Sequence, residues 1–109
     1  MKHLFIIASL LAVSCNYKSE NEKKIEEALL TVKSNKSLIH TNEISLDALK
    51  KLLNSTNRLI KAMGRTTPQH QKDIETIPLE IKNLEAEIDS LKADTDKLEI
   101  EISNLTKQQ

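Results

Sequence analysis

Apolar residues recur in a seven-residue repeat along most of the chain. Counted in sevens from Ile25, a first core position (a) recurs up to Ile60, and a second core position (d) follows three residues after each. In this half every a position is apolar, whereas the d positions include Asn35, Asn42 and Thr56. Such a repeat is typical of helices that pack side by side in a coiled coil. The pattern therefore predicts a long amphipathic helix.

The repeat is cleaner in the second half of the chain. Thr95 is the one polar residue among its ten core positions. The predicted core residues are Ile74, Ile77, Ile81, Leu84, Ile88, Leu91, Leu98, Ile102 and Leu105. Ile74 follows Ile25 by seven whole heptads, so the two halves share one frame. A continuous kinked rod explains this shared frame, whereas a hairpin does not require it.

Helix start and stop signals divide the repeat. Ser19 and Glu22 have the spacing of a capping box, which starts a helix. Gly64 is able to take the left-handed conformation that ends a helix. Thr67-Pro68 is typical of an N-cap and first helical residue. Pro78 removes a backbone donor and predicts either a kink or the true start of the second helix. The predicted segments are a first helix over 20–63, a break or loop over 64–76 and a second coiled-coil helix over 77–107.

Composition and charge favour an all-α fold of two long helices that self-associates. The chain has one glycine, two prolines and 2% aromatic residues, which disfavours strand-rich folds. Residues 16–65 carry ten basic and six acidic side chains, whereas residues 66–109 carry five and ten. This complementarity favours a helical hairpin over a kinked rod, although both stay open. Leu38, Leu52 and Leu59 widen the apolar stripe beyond a two-stranded seam, which predicts a bundle or higher oligomer.

Asn35 and Asn42 allow two interpretations. In "VKSN" and "IHTN" they resemble the I/V-x-x-N repeats of trimeric adhesin stalks, in which inward asparagines bind an anion. The alternative is a poorly helical patch at which the first helix frays. A buried amide without a partner would be costly, so a real seam requires a partner for both side chains.

The N-terminal segment is typical of an export signal. Lys2 supplies positive charge, and residues 4–13 form an unbroken run of apolar and small residues. A membrane span needs about 20 apolar residues, whereas a signal core has about 7–15. Small residues at Ala12 and Ser14 suit a signal-peptidase site. The segment is therefore predicted to target the chain for export.

The single cysteine follows this segment directly. Cys15 after Ala12-Val13-Ser14 resembles the lipobox of bacterial membrane lipoproteins, although that family most often has leucine at the position of Ala12. The resemblance implies a signal peptide over 1–14, fatty acyl chains such as palmitate on Cys15 and a tether over 15–19. The plan is similar to that of murein lipoprotein, a lipidated cysteine ahead of a heptad rod. The alternative is ordinary cleavage that leaves Cys15 as a free thiol or an intermolecular disulfide.

The residues needed for catalysis and ligand binding are sparse, so we expect no enzyme, no cofactor and no small-molecule substrate. His40 and His70 lie far apart and lack metal-ligand spacing, so we expect each to be a surface histidine on a helix and no metal site. No glycine-rich phosphate loop exists. Equal numbers of basic and acidic residues and the scarcity of aromatics argue against nucleic acid as a partner.

These observations together predict a small lipoprotein of the bacterial envelope with a coiled-coil structural or protein-interaction role. It would be anchored in a membrane, more readily the outer one, facing the periplasm or the cell surface. Its partner would be a second copy or another envelope protein. Two alternatives stay open: a phage- or plasmid-encoded lipoprotein of lysis or exclusion, and a surface-exposed adhesin.

Overall fold

A computed structural model describes residues 19–108, which form two long helices and no strand. Helix α1 spans Glu20–Met63 and helix α2 spans Pro68–Lys107, with 44 and 40 residues respectively. At a rise of 1.5 Å per residue, α1 is about 66 Å long. The predicted all-α class with two long helices is confirmed.

The helices run antiparallel, so the described chain is a helical hairpin rather than a kinked rod. Lys36 and Lys50 of α1 form ion pairs with Glu99 and Glu85 of α2, at 4.0 and 3.8 Å. At the open end, Asn21 Nδ2 donates a hydrogen bond to Gln108 Oε1 at 3.5 Å. Residue numbers therefore rise along one helix as they fall along the other.

Both ends of α1 are capped as the residue types predict. The Ser19 hydroxyl accepts a hydrogen bond from the Glu22 amide at 3.1 Å, which satisfies one of the free amides of the first turn. Gly64 has a φ of 70°, and its amide donates to the Ile60 carbonyl at 3.0 Å. A glycine takes this left-handed conformation without the steric cost of a Cβ atom, so the helix ends cleanly there.

Helix α2 begins earlier than the predicted bounds. The break predicted over 64–76 is restricted to residues 64–67, and the second helix starts at Pro68 instead of residue 77. The Thr67 hydroxyl accepts from the His70 amide at 3.1 Å, and proline at the first helical position has no amide to leave unsatisfied. Pro78 is exposed and lies inside α2, where it has no amide hydrogen to donate to the Ile74 carbonyl one turn earlier.

Helix α1 continues through the segment around Asn35 and Asn42. The interpretation of this segment as a poorly helical patch is therefore wrong. Both asparagines are half-buried at d positions, because the helical frame set by their apolar neighbours turns them toward α2.

Candidate functional site

The seam between the helices contains all the core residues predicted in α2. Ile77 and Ile88 are buried, with 4% and 5% of their surface exposed. The other seven are half-buried, namely Ile74, Ile81, Leu84, Leu91, Leu98, Ile102 and Leu105. Within residues 19–108 no large side chain is fully buried, because two helices alone leave both flanks of their seam open to water.

Helix α1 contributes the matching row. Its a and d residues from Ile25 to Ile60 are all buried or half-buried, with Ala28 and Val32 the most enclosed apolar ones. Met63 is an exception at 44% exposure, because α1 ends there and the chain turns away. The a and d residues of the two helices therefore pack against each other along the seam.

One register holds along the middle of the hairpin. From Lys36 to Lys50 the chain advances two heptads, and from Glu99 to Glu85 it returns by two heptads. All four residues follow a d position directly, and we call this the e position. In an antiparallel pair the e positions of the two helices face each other, so the register brings basic e residues of α1 to acidic e residues of α2. The same register sets Glu43 opposite Lys92.

Polar residues interrupt the seam at several levels. Thr56 and Thr95 are buried at 3% and 4% exposure, and the Thr95 hydroxyl donates to its own helix at the Leu91 carbonyl, at 2.7 Å. Asn42 Nδ2 and His70 Nδ1 are buried without a hydrogen-bond partner in the described part of the chain. His70, predicted as a surface histidine, is half-buried at a d position. Buried polar atoms without partners reduce stability.

The other flank of the seam carries the g positions, which precede each a position. Lys24 and Glu101 line one open groove there, and Thr31 and Asp94 line the next. These are g residues of opposite helices, as the antiparallel register requires. Every g position of α2 is acidic: Asp73, Glu80, Glu87, Asp94 and Glu101.

Helix α1 has an exposed uncharged face beside this acidic row. It consists of the g residues from Leu38 onward and of the c residues from Ser34 onward, the c position lying two places after each a position. We define this leucine face as Ser34, Leu38, Thr41, Ser45, Ala48, Leu52, Ser55, Leu59 and Ala62, all of which are exposed. The three leucines expose 48–51% of their surface. The sequence predicted that these leucines widen the apolar core stripe, but it did not predict the uncharged residues that surround them on this face.

A second apolar group lies on the far side of α2. Leu79 and Ile100 are each 62% exposed, and Ala86 and Ala93 lie between them at the same heptad position. Charged residues flank these four on the sequence, for instance Glu80 and Glu99. This stripe is narrower than the leucine face.

Cys15, predicted to carry lipid, lies outside the described residues, as does the segment over 1–14. The described structure begins four residues after it, at Ser19. Between residues 19 and 108, no helix has the length and apolar character required to cross a bilayer. The same range holds no cluster of three side chains suited to a metal ion.

Comparisons with protein-family models, with curated proteins and with solved structures found no match to this chain.

Proposed function

We propose that the protein is a lipoprotein of the bacterial envelope whose helical hairpin serves as an interaction module. The observation that carries the proposal is the position of Cys15, directly after a short apolar run and small residues at Ala12 and Ser14. This arrangement resembles a lipobox, and two or more acyl chains give stable anchoring, because each buried methylene contributes about 0.8 kcal/mol.

The hairpin supports the proposal through its surface. Its helices pack along one seam and leave the leucine face exposed, with Leu38, Leu52 and Leu59 about half accessible. A row of exposed leucines with no charged residue among them is typical of a surface that binds another protein. In this proposal Cys15 anchors the chain, and the helical hairpin binds the partner protein.

Removal of the thiol tests the anchor. We expect Cys15→Ser to abolish incorporation of an alkyne-labelled palmitate, because no other cysteine is present to accept an acyl chain. The measurement is in-gel fluorescence of the labelled protein, together with membrane fractionation after a high-salt wash. The matched control is Ser14→Ala, which changes the neighbouring residue but keeps it small.

Labelling of the parent chain and of Ser14→Ala, with loss only in Cys15→Ser, is the expected pattern. Equal labelling of all three chains, or an unlabelled parent recovered in the soluble fraction, would show that the protein is not anchored through this residue.

A further inference from the structure

We infer that the leucine face is the interface of a parallel, in-register homodimer in which α1 packs against α1 of a second copy. The g and c residues of this face alternate at spacings of three and four, the same spacings as the a and d residues of the seam. The face is thus a second heptad stripe on one helix. A helix with two such stripes is suited to a bundle of more than two helices.

The composition of the face fits close packing of two helices. Leu38, Leu52 and Leu59 supply apolar surface, while Ala48 and Ala62 are small enough to let the backbones approach. Its polar members are hydroxyl residues instead of charged ones, and the Thr41 hydroxyl already donates to the Ser37 carbonyl of its own helix at 3.0 Å. Its burial therefore requires no ionised group to lose water.

The charges beside the face identify a second copy as its occupant. On the α2 side lies the acidic g row, which runs from Asp73 to Glu101. On the other side lies the f position of α1, which precedes each g position. Beside the face it holds Ser37 and Ile44, followed by Lys51 and Arg58, and Lys51 is also ion-paired to Asp47 of its own helix at 2.9 Å. The chain thus presents an uncharged stripe between an acidic edge and an edge whose two charged residues, Lys51 and Arg58, are basic.

Only one orientation of two identical faces pairs these edges. A two-fold axis parallel to the helices brings the acidic edge of each copy to the basic edge of the other, whereas an axis across the helices brings like edges together. Complementary flanking charges select the orientation of helices, and like charges disfavour the alternative. The parallel arrangement also sets each g or c residue opposite its own counterpart.

Disulfide cross-linking tests the orientation directly. The full chain carrying Cys15→Ser has no native thiol, so Ser34→Cys or Ala62→Cys introduces a single one at either end of the face. In the parallel dimer each variant faces itself, and we expect both to form disulfide-linked dimers on mild oxidation in nonionic detergent. Asn54→Cys, on a different side of α1, is the control for random collision and should link at least fivefold less.

Linking that occurs only when the Ser34→Cys and Ala62→Cys chains are mixed would indicate an antiparallel dimer and overturn the inference. Yields no higher than that of Asn54→Cys would overturn it as well. Because these chains have no thiol at residue 15, the result does not depend on lipidation, and the inference stands or falls apart from the proposed anchor.

Sedimentation of charge variants tests the face itself. We expect Leu52→Lys to weaken the dimer by roughly a hundredfold, because each copy loses a buried leucine and brings a lysine into the uncharged stripe. Its helicity by circular dichroism should stay unchanged, since Leu52 is half exposed in the hairpin. Leu79→Lys, at 62% exposure on α2, is the matched control and should stay dimeric. A monomeric parent, or equal loss of the dimer in both variants, would overturn the inference.

Discussion

Thr95 is the one polar residue in the apolar a row of α2. It is 4% exposed at an a position, and its hydroxyl is bonded to the Leu91 carbonyl. We expect Thr95→Ile to raise the unfolding free energy by about 1 kcal/mol, because an apolar branch replaces a hydroxyl in an apolar row. This corresponds to about 5 °C in Tm for a domain of this size, measured by thermal circular dichroism.

Thr106 provides the matched control for this substitution. Its hydroxyl donates to the Ile102 carbonyl at the same distance of 2.7 Å, but the residue is exposed. Thr106→Ile should therefore change Tm by less than about 2 °C. If Thr95→Ile lowers Tm, or if both variants raise it equally, residue 95 is not packed in the seam.

At the scale of the helices, the e-position ion pairs are specific to the antiparallel register. Lys50→Glu places a carboxylate beside Glu85 in the hairpin, and Glu85→Lys places two ammonium groups together. Each variant should be destabilised by a few tenths of a kcal/mol, and the double variant should recover most of the loss, because the pair is half exposed. Urea unfolding at fixed protein concentration measures both effects.

Lys33→Glu controls for the change in net charge, because Lys33 is exposed on a side of α1 away from the seam. The two single substitutions each give a change in unfolding free energy. If the double variant is no more stable than the sum of those two changes predicts, the register is contradicted.

The sequence predicted the helices better than their connection. Heptad spacing follows from helix geometry, so counting from Ile25 and Ile74 was enough to place the a and d rows. The same frame suits both a rod and a hairpin, so it does not decide between them. The contacts between the helices decide it, among them the ion pairs of Lys36 and Lys50 with α2. The predicted start of the second helix is too late because it takes Pro78 as a boundary, whereas α2 contains Pro78 in its interior.

The candidate surface was harder to predict than the seam. The sequence predicted that Leu38, Leu52 and Leu59 extend the apolar stripe. Whether a residue next to a core position is buried depends on how many helices pack around it, which the sequence did not show. The hairpin contains two helices, which leaves the leucines half accessible. The acidic row of α2 lies beside them only because the chain folds back.

At the scale of the whole molecule, charge is arranged along the hairpin rather than distributed at random. The basic first half and acidic second half meet at the e positions, whereas the acidic g row of α2 faces few basic residues of α1. The inferred dimer uses that remaining acidic row. It also places Ser19, where the described structure begins, at the same end in both copies, which suits two chains anchored side by side in one bilayer.

The central claim is that lipid on Cys15 holds this hairpin at a membrane. Intact-mass spectrometry of the exported protein tests it most directly. The account predicts a chain that begins at residue 15 and carries a diacylglyceryl group on the thiol. A mature chain with a bare thiol at Cys15, or one that begins at another residue, would contradict it.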